Sequence, residues 1–146
     1  MKPRIFIGSS SEGLSVAKRV KDFFQNDYDC FLWSDDIFKN NESFLETLVK
    51  SASLFDFGFM IFSADDEATI RDNHFETPRD NILFEYGLFL GRVGLDRAFI
   101  IAEDEVKIPT DILGITHTRY KVNSSIYNRL LLNILYVINQ KYGLNL

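Results

Sequence analysis

Glu85 is the one residue that carries a charge at neutral pH in the strongly apolar run from Ile82 to Gly91. The run follows Thr77 and Pro78, which suit the N-cap and the first position of a helix. An acid on an apolar helix is a candidate functional group, because catalytic carboxyls are often placed where their pKa is perturbed.

In the alternative interpretation, Glu85 belongs to a stripe of residues on the helix surface that is exposed to solvent. At about 100° per residue, Glu85 shares one side of the helix with Asn81, Leu88 and Arg92. The other positions are mostly apolar, and the pattern predicts that they are buried: Ile82, Leu83, Phe84, Phe89 and Leu90. From the residues alone, both interpretations stay open.

The loop from Gly8 to Gly13, with the sequence Gly-Ser-Ser-Ser-Glu-Gly, joins a predicted strand to a predicted helix. Small side chains and free backbone amides at a helix N-terminus could cradle a phosphate or another anion. The loop has neither the glycine spacing of dinucleotide-binding folds nor the Gly-Lys-Ser/Thr of a P-loop. An ordinary serine-rich helix cap is therefore the simpler interpretation.

The other reactive residue types form no recognisable catalytic or metal pattern. Trp33 ends a predicted strand, where it could stack on a base, although a lone Trp more often belongs to the core. His74 and His117 have no second ligand at helical or hairpin spacing, so no metal site is predicted. Cys30 lies inside a predicted strand and is interpreted as a small core residue.

Strands and helices alternate along the chain. Strands are predicted at 4–8, 30–33, 55–63, 97–102 and 116–120, and helices at 14–25, 43–51, after residue 77 and at 124–141. Residues 64–76 are predicted to form a polar, acidic loop. The alternation predicts an α/β fold, a flavodoxin-like sheet of about five parallel strands with helices on both faces. Ligands are expected at the carboxyl ends of the strands, where the loops 8–13, 34–41 and 64–76 meet.

Length, charge and composition bound the class of protein. With 146 residues, of which 46% are hydrophobic, the chain is predicted to form one domain over 1–146. A net charge of −5 and the lack of a basic cluster argue against binding to nucleic acid. A lone Cys30, no signal-peptide pattern and no apolar run of about 20 residues predict a cytoplasmic protein without a membrane segment.

Three stretches together resemble a known family: Arg4-Ile-Phe-Ile-Gly-Ser-Ser-Ser-Glu-Gly13, Leu32-Trp-Ser-Asp35, and Pro78-Arg-Asp-Asn-Ile-Leu-Phe-Glu-Tyr-Gly87 followed by Gly91. Over essentially its whole length the chain resembles the TIR-like domains of bacterial antiphage effectors, which include TIR-STING fusions and cyclic-pyrimidine-activated TIR effectors. The resemblance implies a TIR fold and an NAD+-cleaving enzyme whose catalytic glutamate is Glu85. NAD+ is then the substrate, and no cofactor is expected.

One carboxylate suits the reaction that the resemblance implies. Nicotinamide leaves from a cationic pyridinium as a neutral base and needs no general acid, so the main demand is to stabilise the oxocarbenium-like ribose. Glu85 would hold the ribose hydroxyls and offset that positive charge. By the same resemblance, the dinucleotide site is lined or bordered by Phe6, Gly8, Ser9, Ser10, Trp33 and Ser34. Its entrance would be shaped, or Glu85 positioned, by Arg79, Asp80 and Asn81.

Self-association is a further expectation from the resemblance, because TIR enzymes are gated by a neighbouring domain and its BB loop. In this chain Asn40-Asn41 replaces the family's Pro-Gly pair after Phe38-Lys39, which leaves the conformation of the loop open. The family also leads us to expect a fused or partner cyclic-nucleotide sensor, and the sequence contains no recognisable one. The chain is therefore interpreted as a fragment of a longer effector whose sensor follows Leu146, with a stand-alone TIR protein as the alternative.

Two other functions stay open. A nucleoside 2-deoxyribosyltransferase has a similar fold and also uses a glutamate at a ribosyl carbon, but it releases an uncharged base and needs a proton donor. No such donor is evident in the sequence. A non-catalytic TIR scaffold would act through assembly alone and would not require Glu85.

Overall fold

The most apolar runs of the chain form the centre of a parallel β-sheet. A computed structural model describes residues 2–32, 44–78, 80–112, 117–121 and 127–142. In chain order its elements are β1 (Arg4–Gly8), α1 (Leu14–Phe24), β2 (Asp29–Leu32), α2 (Phe44–Ala52), β3 (Phe57–Phe62), β4 (Asp66–Ile70), β5 (Asn73–Thr77), α3 (Asp80–Val93), β6 (Ala98–Glu103), a 3-10 turn (Thr110–Ile112), β7 (His117–Tyr120) and α4 (Tyr127–Tyr142).

The five-stranded sheet has the order β2-β1-β3-β6-β7, and all neighbouring strands are parallel. This is the flavodoxin-like order, so the predicted fold class is confirmed. All residues of β3 are buried, as expected for a central parallel strand that is covered on both faces. The order reverses between β1 and β3, and ligands of such sheets bind outside the carboxyl ends of the strands at that point.

Alternate side chains of the strands pack into two separate apolar layers. One layer combines sheet residues such as Ile7 and Phe59 with α1 and α4. The other combines residues such as Phe6 with α2 and α3. Helix α3 lies close to the sheet, because a Cβ atom at Gly58 would be 2.9 Å from Cδ1 of Phe89. Gly58 therefore permits the short distance between α3 and β3.

Residues 64–76, which are predicted as a loop, instead form most of an antiparallel hairpin between β4 and β5. Its turn contains Arg71 and Asp72, whose φ angles are 50° and 64°. Tight hairpin turns with positive φ usually contain glycine, as in Asn-Gly, so an Arg-Asp turn gives little signal in a sequence. The loop prediction is therefore wrong. Thr77 is the last residue of β5 and α3 begins at Asp80, so the predicted N-cap at Thr77 is also wrong.

Several predicted features lie outside the described residues. They are Trp33, Ser34, the segment 34–41, Arg79, and the predicted helix starts at 43 and 124. None of the described helices is both long enough and apolar enough to cross a membrane.

Candidate active site at the carboxyl edge of the sheet

Glu85 lies on the side of α3 that faces the sheet. Its side chain is 6% exposed, and the neighbouring positions Ile82, Tyr86 and Phe89 are also buried. Phe84, by contrast, is 57% exposed. The interpretation of Glu85 as part of a solvated stripe is therefore wrong, and so is the predicted burial of Phe84.

The carboxylate of Glu85 lies beside Gly8, the last residue of β1. A Cβ atom at Gly8 would be 3.3 Å from Oε2 of Glu85 and 2.5 Å from Sδ of Met60. Met60 is the residue of β3 that pairs with Gly8. A side chain at position 8 would therefore occupy the space next to the carboxylate. Glycine therefore permits Met60 and Glu85 to pack closely against the end of the strand, where this fold places ligands.

Within the described residues, the Glu85 carboxyl gains no compensation for its burial. Its Oε2 atom is buried and has no hydrogen-bond partner there. Desolvation disfavours the charged form and raises the pKa of Glu85 to about 7. A buried carboxyl without a partner destabilises the folded state and is uncommon, so it marks a candidate functional group. Near neutral pH the residue can change between its protonated and charged forms.

Hydrogen bonds within the protein hold the loop between Gly8 and Gly13. Ser63 donates to Oδ1 of Asp65 at 2.7 Å, and Oγ of Ser10 lies 3.1 Å from Oγ of Ser63. Because a serine hydroxyl has one proton, Ser10 is the donor to Ser63. Ser10 in turn accepts from the amide of Gly13 at 3.2 Å. The loop is thus fastened to the end of β3, and the Gly13 amide is engaged within it.

Phe6 lies beneath Gly8 and has no exposed surface. Its ring stacks on Phe89 with the centroids 4.5 Å apart, and its Cε1 would be 3.1 Å from a Cβ at Gly8. Phe6 therefore packs directly beneath the end of β1 and supports the place where Gly8 and Glu85 meet.

The structure brings together only some of the residues predicted for the site. Gly8 and Glu85 are neighbours, while Ser9 and Ser10 are buried in the loop that follows Gly8. Asp80 and Asn81 belong to the first turn of α3, the helix that carries Glu85. Trp33, Ser34 and Arg79 are outside the described residues, so their part in the site stays a prediction.

Sequence reasoning did not single out the polar residues that hold this edge of the sheet together. Besides Ser63 and Asp65, Glu103 at the end of β6 accepts a hydrogen bond from the amide of Ala64 at 2.7 Å. Ser63 is the last residue of the third predicted strand, Asp65 lies two residues beyond it, and Glu103 directly follows the fourth. They could have been predicted from the sequence, because each lies at or just after the carboxyl end of an apolar strand, where this fold places its sites.

The described residues offer neither a metal site nor a reactive thiol. No three His, Cys, Asp or Glu residues come together among them in a way that could hold a metal ion. Cys30 is buried, and desolvation raises the pKa of its thiol to about 12. Cys30 therefore stays a neutral thiol near neutral pH.

Comparison with known families and proteins gives consistent matches. Residues 4–122 match the family described as "CAP12/Pycsar effector protein, TIR domain". The CD-NTase-associated protein 12 of Lachnospiraceae bacterium (strain RUG226) is 80% identical over 126 residues, 85% of this chain and 40% of that protein. Its namesake from Flavobacterium daejeonense is 56% identical over 133 residues, 91% of this chain and 43% of that protein. The Pycsar effector protein PaPycTIR of Pseudomonas aeruginosa is 35% identical over 124 residues, 83% of this chain and 40% of that protein.

The chain therefore spans about two fifths of the length of these curated relatives. Among solved structures, the CMP N-glycosidase of Clostridium botulinum superimposes with a TM-score of 0.52, covering 92% of this chain and 98% of that chain. The sequence identity is 10%, so this likeness shows a shared fold and nothing further.

Proposed function

We propose that this chain, which belongs to the CAP12/Pycsar family of antiphage TIR effectors, cleaves the bond between nicotinamide and ribose in NAD+. The observation that carries the proposal is the buried Oε2 atom of Glu85, which lies beside Gly8 and has no hydrogen-bond partner among the described residues. The motif resemblance assigns the family's catalytic glutamate to the same residue. A carboxyl oxygen that the described protein groups leave without a hydrogen bond can interact with a substrate.

In its charged form, Glu85 would stabilise the cationic ribose that forms as the C1′–N bond breaks. The bonding electrons move to the pyridinium nitrogen, so nicotinamide leaves as a neutral molecule without taking up a proton. Water then adds its oxygen to C1′ and releases one proton, which gives ADP-ribose. Addition of an internal hydroxyl would give a cyclised product instead. The apolar surroundings of Glu85 strengthen its attraction for the developing positive charge.

The dinucleotide would lie along the carboxyl edge of β1. We assign the border of its site to Gly8, Ser9 and Ser10, with Phe6 as the floor, because these residues meet at the end of that strand. The proposed border also includes Trp33 and Ser34, and the proposed entrance includes Arg79, Asp80 and Asn81. These assignments rest on the motif resemblance.

Release of nicotinamide from NAD+ tests the proposal. Concentrated protein is incubated with NAD+ and a crowding agent, and free nicotinamide is followed by chromatography. We expect Glu85→Gln to lower the rate by at least about a hundredfold, the usual effect of losing one preorganised electrostatic group. Glu76→Gln is the matched control, because Glu76 is an exposed glutamate on β5.

A Glu85→Gln protein that is folded and keeps most of its turnover would contradict the catalytic assignment. Circular dichroism of each variant separates loss of chemistry from loss of structure. The scaffold alternative predicts a different result. If an activity that requires a partner protein is the same in Glu85→Ala as in the wild type, a non-catalytic scaffold is favoured.

Cleavage of a nucleotide with an uncharged base is the second candidate. An uncharged base must receive a proton as it leaves. This candidate is favoured by the pKa of Glu85 of about 7, because part of the protein molecules then carry a protonated Glu85 near neutral pH. One carboxyl cannot donate this proton and also provide the negative charge that stabilises the ribose, so NAD+ suits the site better. Release of cytosine from CMP, or of bases from deoxynucleosides, at rates above nicotinamide release would favour this candidate.

The partners of the whole protein are also part of the proposal. The relatives are named CD-NTase-associated protein 12 and Pycsar effector protein, and most of their length lies beyond the region that this chain matches. We assign a cyclic-nucleotide sensor to that additional length, or to a partner protein. Binding of the signal would bring TIR domains together and thereby activate cleavage.

A further inference from the structure

A cavity whose described lining does not include Glu85 lies against the β4–β5 hairpin. It has a volume of about 560 Å³, which is within the usual range for sites that bind small molecules. Its walls are β5, the start of α3 and the segment that follows β6, and its lining residues are Arg71, Asn73, Phe75, Thr77, Pro78, Leu83, Lys107, Pro109 and Thr110.

The alternation of side chains along β5 forms one wall of the cavity. Asn73, Phe75 and Thr77 line it, whereas His74 and Glu76 are exposed on the other face of the strand. On that other face, His74 Nδ1 lies 3.0 Å from the hydroxyl of Thr69 in the opposite strand. The hairpin therefore presents a mixed apolar and polar face to the cavity.

Backbone contacts fasten the opposite wall to the hairpin. The amide of Lys107 donates to the carbonyl of Glu76 at 2.8 Å, and Glu76 and Val106 form a parallel bridge. Arg119 holds the same segment from β7, since its Nη1 donates to the carbonyl of Val106 at 2.9 Å. The distance between the two walls is thus set by hydrogen bonds.

The lining combines an apolar surface with two cations. Phe75, Pro78, Leu83 and Pro109 supply the apolar part, while Arg71 and Lys107 supply positive charge. None of the described lining residues is acidic, although the whole chain has a net charge of −5. The ammonium of Lys107 lies 4.2 Å from the centroid of the Phe75 ring, a cation–π contact that fixes its position at the cavity.

From this arrangement we propose that the cavity binds an organic anion of the nucleoside monophosphate type. The phosphate would lie between Arg71 and Lys107, and the planar base would pack on Leu83 and the two prolines. A bare phosphate would leave the apolar wall uncovered, and a neutral nucleoside would bring no negative charge to Arg71 and Lys107. The volume has room for both parts of the ligand.

The described lining of the cavity contains neither Glu85 nor Gly8. Leu83 precedes Glu85 by two residues, which places the two side chains about 200° apart around the axis of α3. Leu83 lines the cavity, whereas Glu85 faces the sheet beside Gly8. The ligand site therefore does not depend on the proposed cleavage of NAD+.

Calorimetric titration of the chain with AMP tests this site. We expect saturable binding that becomes about tenfold weaker in Arg71→Ala and in Lys107→Ala, the scale for removing one charge-assisted contact. Thr110→Glu, which places a carboxylate in the lining, should abolish binding without removing a structural contact. Lys18→Ala is the matched control, because Lys18 is an exposed lysine on α1. Glu85→Ala should keep its affinity for AMP.

Three results would overturn the proposal. The first is the absence of saturable AMP binding, and the second is binding that Thr110→Glu and the two cation variants leave unchanged. The third is a loss of AMP binding in Glu85→Ala, which would place the ligand at the other site. Adenosine and inorganic phosphate are titrated in parallel, and either one binding as tightly as AMP would contradict the two-part ligand.

Discussion

At the scale of the residue, burial of Glu85 should make the stability of the protein depend on pH. Its pKa in the folded protein is about 7, above the ordinary value of 4.5. As pH rises between these values, the unfolded chain releases the proton while the folded chain keeps it, so the free energy of unfolding falls. Glu85→Gln should remove this fall and be more stable above neutral pH, by at most about 3 kcal/mol.

Urea unfolding of wild type and Glu85→Gln at about pH 4 and about pH 8 measures this difference. The two proteins should differ little at the lower pH, where Glu85 is protonated in both the folded and the unfolded state. Glu76→Gln serves as the control for an exposed carboxyl. An equal difference between wild type and Glu85→Gln at both values would contradict a raised pKa.

The same pKa predicts how NAD+ cleavage depends on pH. In the proposed reaction the charged carboxylate is the active form, so kcat/KM should rise with pH and level off above about 7. In the complex the cationic nicotinamide ring favours the charged form, so the midpoint for kcat should lie at a lower pH than that for kcat/KM. Initial rates of nicotinamide release across the pH range provide both profiles. A kcat/KM that falls through neutral pH would point to the protonated acid as the active form.

At the scale of the element, the end of β1 and the side of α3 must fit closely around Glu85. Gly8→Ala should therefore reduce NAD+ cleavage by about ten- to a hundredfold, because its Cβ would press on Sδ of Met60 and crowd Oε2 of Glu85. Gly87→Ala is the matched control, since a Cβ there would meet nothing within 4 Å.

Gly87 is exposed on α3, so its replacement by alanine should leave cleavage unchanged and stabilise the helix by about 0.5–1 kcal/mol. Thermal unfolding and nicotinamide release of both glycine variants check the pair of expectations. Full activity in Gly8→Ala would show that the close packing of Met60 and Glu85 against Gly8 is not needed for the reaction.

The sheet was predictable because its central strands are continuous apolar runs separated by helical spacing. β3 and β6 are such runs, and both lie in the buried middle of the sheet. The hairpin of β4 and β5 was not predictable, because its turn at Arg71 and Asp72 lacks the glycine that usually marks positive φ. Local sequence does not show that two polar segments pair with each other.

The site was predictable in part. Apolar residues surround α3 almost completely, so spacing alone could not decide which side faces the sheet, and it placed Phe84 rather than Glu85 inside. The contact between Glu85 and Gly8 depends on the packing of α3 against the ends of two strands. The importance of Glu85 therefore came from the motif resemblance, and its burial came from the structure.

At the scale of the whole molecule, this chain matches about two fifths of each curated relative. The TIR domain is thus the part of those proteins that this fold describes. In the proposed function, the signal is bound by the part of the protein that this chain does not match. That binding would then activate cleavage by changing the position of one TIR domain relative to another.

Joining this chain to a drug-inducible dimerisation domain should raise NAD+ cleavage per TIR domain. A tether raises the effective concentration of the neighbouring domain to the millimolar range, so we expect a gain of at least about tenfold over dilute, unclustered protein. Nicotinamide release is measured with and without the inducer, and the Glu85→Gln fusion should stay inactive in both. If wild-type release per domain is the same in dilute and clustered samples yet still requires Glu85, one TIR domain alone completes the site and activation by assembly is contradicted.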